Sequence, residues 1–144
     1  MSAEDNKAIV RRFYEELSKG DMAAADALIA TNVVDHDENL ETAVRGPKSF
    51  KRMAASLRSS FPDICFTVED EVAEGDKVDV RWTMRGTQEG EFMGVPGSGK
   101  QVTGAGMHFL RLAGGKIVEI WVNRDELDMM RQLGVVPTMG ESGN

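Results

Sequence analysis

Apolar residues change their period partway along this chain. Near the start, Ile9, Val10, Phe13, Tyr14 and Leu17 fall on one stripe at helical spacing. Ser2, with Asp5 three residues on, has the form of a capping box in which aspartate stands in for the usual glutamate. Gly20 sits where a C-terminal glycine cap belongs. Together these predict a first helix. Asp21 is placed to cap a second, alanine-rich helix running to Ile29. Gly46 and Pro47 open a third, because proline suits a first helical turn. Its stripe is Phe50, Met53, Leu57 and Phe61, and Pro62 stops it.

Beyond Pro62 the period falls to two. Ile64, Phe66 and Val68 alternate with Cys65, Thr67 and Glu69. After a turn at Glu74-Gly75-Asp76, the residues Val78, Val80, Trp82 and Met84 alternate with Asp79, Arg81, Thr83 and Arg85, the pattern of a half-buried strand. A glycine-studded segment spans Gly86 to Gly99 and carries Phe92, Met93, Val95 and Pro96. It reads as a hairpin tip or flexible pocket lip. Another strand runs from Gln101 to Leu112, and Gly114-Gly115 turns it into a last strand, Lys116 to Asn123. Asp125 opens a closing helix and Gly134 ends it. The polar residues after Pro137 are expected to be loose. Helices followed by hairpin-linked strands give an α+β layout. The connections are too short for crossover helices, so the strands should be mostly antiparallel.

Alternation also predicts which way the last strands face. Arg111 should point outward, leaving His108, Leu110 and Leu112 on the inner face. In the last strand, Val118, Ile120 and Val122 share the inner face, and Glu119, Trp121 and Asn123 the outer one. A tight Gly114-Gly115 turn makes His108 and Val122 neighbours. An outward tryptophan suggests an interface between subunits, hence a homodimer or higher homo-oligomer.

Bulk composition narrows the partners. The chain has 144 residues, the size of one domain, and no repeat, linker or second domain is visible within it. Its formal charge of −7, from 24 acidic and 17 basic residues, argues against binding a nucleic-acid backbone. No apolar run approaches the ~20 residues of a membrane span, and no signal peptide is recognisable, so a cytoplasmic location is the expectation. The lone Cys65 excludes an internal disulfide and reads as a small buried strand residue. Asp35-His36-Asp37 is a dense polar cluster, but alternation points its two acids away from the histidine, which makes no recognised metal site. It reads as a loop after the second helix in which Asp37 or Asn39 caps or turns the chain. The glycine-rich stretch lacks the helix start and Lys-Ser or Lys-Thr of a phosphate loop.

Five motifs, in order, carry a family resemblance: IVRRFYEELSKGD, VVDHDEN, RGPKSFKRMAASLRSSFPD, VAEGDKVDVRWTMRGTQEGEFMGVPGSGK and LRLAGGKIVEIWVNRDELDMMRQLG. From about Val10 to Val135 the chain resembles the SnoaL-like polyketide cyclase (ester cyclase) family. The resemblance implies a nuclear-transport-factor-like α+β cone, a curved sheet wrapped around helices with a short closing helix, and an apolar pocket within. It also implies intramolecular aldol ring closure of an aromatic polyketide methyl ester, without metal or organic cofactor. Such a step needs a base for a proton alpha to a carbonyl, and stabilisation of the enolate. By resemblance, His108 is the pocket histidine and general base, with His36, reaching the rim from its loop, or Asp125 assisting. The resemblance places the family's acid directly after the position of Trp121, where this chain has Val122. Phe13, Met53, Trp82, Met84, Phe92, Leu110, Ile120 and Val122 are the expected wall for a polycyclic carbonyl ligand, although plain core packing explains each alone. Asp125 also fits a helix cap with no catalytic part. The alternatives are a small-molecule binder, or an enzyme of different chemistry such as the hydroxylation implied for some relatives, and an assembly module working through Trp121.

Overall fold

The computed structural model describes residues 2–20, 22–37 and 46–135. Among them are four helices and five strands: α1 (Ala3–Lys19), α2 (Ala25–Leu28), β1 (Ile29–Asp35), α3 (Gly46–Ser60), β2 (Cys65–Glu74), β3 (Lys77–Thr87), β4 (Gln101–Ala113), β5 (Lys116–Arg124) and α4 (Glu126–Gln132). The strands form one open, curved sheet in the order β1-β5-β4-β3-β2. Every pairing is antiparallel except β1 with β5. The helices α1 and α3 pack within the curve, and α4 lies against β4. This is the expected α+β cone. None of the described helices is long and apolar enough to cross a membrane.

Local chemistry sets the helix ends. The Ser2 hydroxyl accepts from the Asp5 amide, and the Asp5 carboxylate accepts from the Ser2 amide, each at 3.1 Å. This reciprocal pair satisfies two orphan donors of α1. Gly20 ends the helix at φ 82°, a conformation glycine adopts without penalty. Asp125 caps α4 by accepting from the Asp128 amide at 3.0 Å.

The first half departs from its helical reading in one element. In place of a long second helix there is one turn, α2, followed by β1. Ala24 caps α2 without a side-chain bond, and Asp21, expected to cap it, lies outside the described residues. The segment after Leu28 is extended because β5 supplies a parallel partner, with Ile29 opposite Ile117 and Asp35 opposite Ile120. Asp35 therefore belongs to a strand, not to a loop. Asn39 and the tail after Pro137 also lie outside the described residues.

In the antiparallel part of the sheet the period-two pattern holds except at two bulges, and the β1–β5 pairing shifts register once more between Ile29 and Val34. Val78, Val80, Trp82 and Met84 are buried on β3. His108 faces Val122 across the β4–β5 ladder. One extra residue, Val118, interrupts that ladder between the pairs Arg111–Glu119 and Leu112–Ile117. A bulge sets two residues against one and re-aims the side chains beyond it. As a result Ile117, not Val118, is fully buried beside Ile120 and Leu110. Burial of each such side chain stabilises by roughly 2 kcal/mol. A second bulge at Glu69 turns Glu71 inward, opposite Val80. Cys65 corrects its expectation: it is exposed, because it pairs with Arg85 on the outer face and leaves the inner face to Phe66 and Met84.

The glycine-rich segment folds around Gln88, which is fully buried. Its amide nitrogen donates to the carbonyls of Val95 and Pro96 at 2.9 and 3.2 Å, and its oxygen accepts from the Ser98 hydroxyl at 2.7 Å. A Cβ at Gly97 would lie 2.2 Å from the Glu89 carbonyl oxygen, so only glycine allows that approach.

Candidate active site

The core of the cone is largely apolar, and His108 stands in its aromatic part. Four rings meet there. Phe13 and Tyr14 come from adjacent positions of α1 and pack edge to face at 5.4 Å. Phe13 stands at 90° to the imidazole with centroids 6.4 Å apart. Trp82 stacks on the imidazole at 5.6 Å and 30°, and Phe66 closes on Trp82 at 5.5 Å. The Tyr14 hydroxyl hydrogen-bonds His108 Nδ1. This fixes the ring and leaves Nε2 as its other polar atom.

Burial governs the titration of this pair. It disfavours the imidazolium and holds the His108 pKa down to about 3, with the nearby Arg124 charge acting in the same direction. Burial likewise pushes the Tyr14 phenol well above its ordinary value, helped by Glu71 and Asp79. Both groups are therefore neutral at ordinary pH. Trp82 is buried, and its indole N–H has no partner among the described residues. A buried donor without a partner costs free energy, so one inside a cone marks a place for a polar atom to arrive.

Three carboxylates share the inner face. Glu71 on β2 lies with Oε1 3.0 Å from Arg11 Nε, and burial raises its pKa. Asp37, just beyond β1, accepts from Arg124, which also donates to Glu126 at 3.0 Å. Asp35 has its pKa raised by burial, and its Oδ1 accepts the Asp37 amide at 2.9 Å. Parallel pairing puts Asp35 on the same face as Ile120, two residues before Val122.

The expected wall residues divide by burial. Phe13, Trp82, Met84, Leu110 and Ile120 are buried in the core, while Met53, Phe92 and Val122 are half-buried against it. His36 and Asp125 are not brought to His108. His36 lies on the outer face, where it stacks on Trp121 at 4.7 Å and 8° and bonds Glu119 at 2.7 Å. Asp125 is the exposed cap of α4. Both line an open cleft of about 520 Å³, together with Asp37, Val122 and Arg124. Sequence reasoning places Tyr14 only in an apolar stripe, although its hydroxyl is a signal that the stripe meets something polar. It sets aside Asp35 as a loop residue, although alternation already points the acids away from His36.

Comparison with known proteins agrees with this fold. The model of the SnoaL-like polyketide cyclases matches residues 8–133. Aklanonic acid methyl ester cyclase DnrD of Streptomyces peucetius is 29% identical over 137 residues, covering 92% of this chain and 89% of its own. Among solved structures, IdmH of Streptomyces antibioticus, a candidate polyketide cyclase, is 33% identical with a TM-score of 0.77, covering 90% of this chain and 99% of its own. AclR of Streptomyces galilaeus, a candidate hydroxylase, is 26% identical with a TM-score of 0.82, covering 94% of this chain and 100% of its own.

Proposed function

The chain belongs to the SnoaL-like polyketide cyclase family, and on that premise we propose that its cone binds an aromatic polyketide ester or similar polycyclic ketone and closes a ring by an intramolecular aldol step. The observation that carries this reading is the single imidazole held by a tyrosine hydroxyl inside an aromatic box. Flat aromatic walls suit a flat aromatic ligand. The reaction takes a proton from the carbon alpha to a carbonyl and stabilises the enolate that forms. The new enolate carbon then attacks a second carbonyl of the same molecule. Proton acid/base chemistry suffices, so no metal or organic cofactor enters the scheme.

His108 takes the stabilising part. The tautomer assigned to this part has Tyr14 donating to Nδ1, so that Nε2 carries the proton and donates to the enolate oxygen. Family resemblance assigns the imidazole the part of the base. Its low proton affinity within the cone favours the donor's part instead, because an efficient base has a pKa near the working pH. Asp125 is engaged as a cap and His36 with Trp121 and Glu119, which keeps both from the reacting atoms.

The test is incubation with aklanonic acid methyl ester, the compound named for the relative DnrD. The expected product has unchanged mass and a new chromatographic position, since the ring closure moves atoms without losing any. His108→Ala should lower turnover at least tenfold, by the measured worth of one positioned donor. Turnover unchanged in His108→Ala would overturn the reading. A second reading is favoured by Val122, which pairs with His108 and can neither give nor take a proton. On it, the cone binds such a compound without converting it, or works a different reaction, such as the hydroxylation named for the candidate hydroxylase AclR on the same fold. Thermal stabilisation by the ester with no product formed supports that second reading.

We also propose that the outer sheet face bearing Trp121 joins two copies of the chain in a homodimer. Trp121, Phe109, Met107 and Val34 are exposed there. Phe109 and Trp121 pack edge to face at 5.7 Å, and His36 extends the same patch.

A further inference from the structure

We propose that Asp35, on the parallel edge strand, is the carboxylate that moves the proton in this cone. The proposal rests on the cyclisation reading and names the group that reading lacks, since His108 supplies a donor and Val122 supplies nothing.

The argument is one of placement and elimination. A base for the substrate must lie on the inner face, near His108, and must not be held by a counter-charge. Among the described residues, three carboxylates on or just beyond the sheet face inward, and a fourth buried one, Glu16 of α1, has Lys19 at 3.6 Å. Glu71 has Arg11 at 3.0 Å. Asp37 is bonded by Arg124. Among the described residues Asp35 makes no ion pair, feels Arg124 only at a distance, and has one hydrogen bond, from the Asp37 amide, which occupies a single oxygen. The Asp35 side chain shares its face with Ile120, and Ile120 lies opposite Leu110 on the strand that carries His108. Two strand spacings and a two-residue offset set the Cα atoms of Asp35 and His108 about 11–12 Å apart in a flat sheet, and curvature brings them nearer. Side-chain reach takes up about half of that. The remainder suits an α-carbon and its carbonyl oxygen, with the carbon toward Asp35 and the oxygen toward His108. Partial burial raises the pKa of Asp35, which makes it the stronger base.

The step balances without a co-reactant. The Asp35 carboxylate takes the α-proton, and the C–H electron pair becomes the enolate. The enolate carbon forms the new C–C bond to the second carbonyl carbon, whose oxygen becomes an alkoxide. The protonated Asp35 returns its proton to that oxygen. Nothing is oxidised or reduced, and Asp35 ends as it began.

Proton abstraction can be measured without the natural substrate. The probe is 2-tetralone, a bicyclic ketone with acidic α-protons. Its exchange in D2O is followed by proton NMR, and its binding by quenching of tryptophan fluorescence. The full-length protein should accelerate exchange, and Asp35→Asn should lower that acceleration at least tenfold while leaving binding within threefold. Asparagine keeps the oxygen that accepts the Asp37 amide, and a thermal melt checks that the variant is folded. Adding Val122→Asp to Asp35→Asn restores a carboxylate directly opposite His108 and should recover exchange. If Asp35→Asn exchanges the probe like the parent, Asp35 is not the base, while the cyclisation reading stands. Binding with no exchange by the parent protein overturns the proposal equally. If the parent does not bind the ketone, the pocket reading fails and this proposal falls with it.

Discussion

Burial takes the His108 imidazole out of its ordinary titration range, and this has a consequence for stability. An unfolded chain protonates histidine as the pH falls below about 6.5, while the folded protein waits until about 3. Between those values the unfolded state holds an extra proton. Acid therefore erodes stability through this group by up to about 1 kcal/mol per pH unit, and the contribution is whole above pH 6.5. Glu71 and Asp35, with raised pKa values, work in the opposite sense, because the folded state takes up their protons first. Comparing variants separates the two effects. Urea melts between pH 7 and 4 should show a steeper loss for the parent than for His108→Phe. Equal slopes would mean that the folded imidazole is not kept neutral. A neighbouring position makes a second prediction. A Cβ at Gly106 would lie 2.4 Å from Trp82 Cζ2 and 2.9 Å from the Asn123 carbonyl oxygen. Gly106→Ala should therefore cost about 1–3 kcal/mol and shift the tryptophan emission as the indole is displaced from His108.

Elements differ in how far their own residues announce them. The helix α1 was legible because its capping box, its stripe and its terminal glycine all lie within it. The β4–β5 hairpin was legible because the Gly114-Gly115 turn fixes its register, and that register set His108 opposite Val122. The strand β1 was not. It has seven residues with two exposed ones at their centre, and its partner β5 lies at the other end of the chain. No local pattern encodes such a pairing. The bulges at Glu69 and Val118 escaped for the same reason, since tertiary fit decides where a ladder skips. The Tyr14–His108 bond joins α1 to β4, so the sequence could offer both residues but not their meeting. For α4, the sequence allows Asp125 as cap and as catalyst, and the two parts can be tested apart. Asp125→Ala should cost about 1 kcal/mol by losing the bond from the Asp128 amide, whereas Asp125→Ser should restore it. Turnover of the methyl ester should stay within twofold in the serine variant. A tenfold loss in a stably folded Asp125→Ser would place the carboxylate in the chemistry.

At the scale of the whole molecule the two faces of the sheet differ in chemistry. The inner face holds the aromatic box, and the outer face carries Trp121, Phe109 and the His36 stack. Glu119 braces the outer face by accepting from Arg111 at 2.9 Å while bonding His36 at 2.7 Å. Sedimentation at micromolar concentration should show a dimer, and Trp121→Lys should convert it to monomer without changing ligand binding in the cone. A monomeric parent would remove the outer face as an interface. The parallel pairing of β1 with β5 carries a last consequence, one of time. The strands β2 to β5 meet through neighbouring connections along the chain, but β1 must close a loop over most of the sequence before it gains its contacts. That entropic cost delays its docking during folding. As an edge strand with a partner on one side only, it is also among the elements placed to open first in local fluctuations. The aromatic box should therefore form early and Asp35 dock last, so that renatured protein should recover its tryptophan signal before it recovers activity.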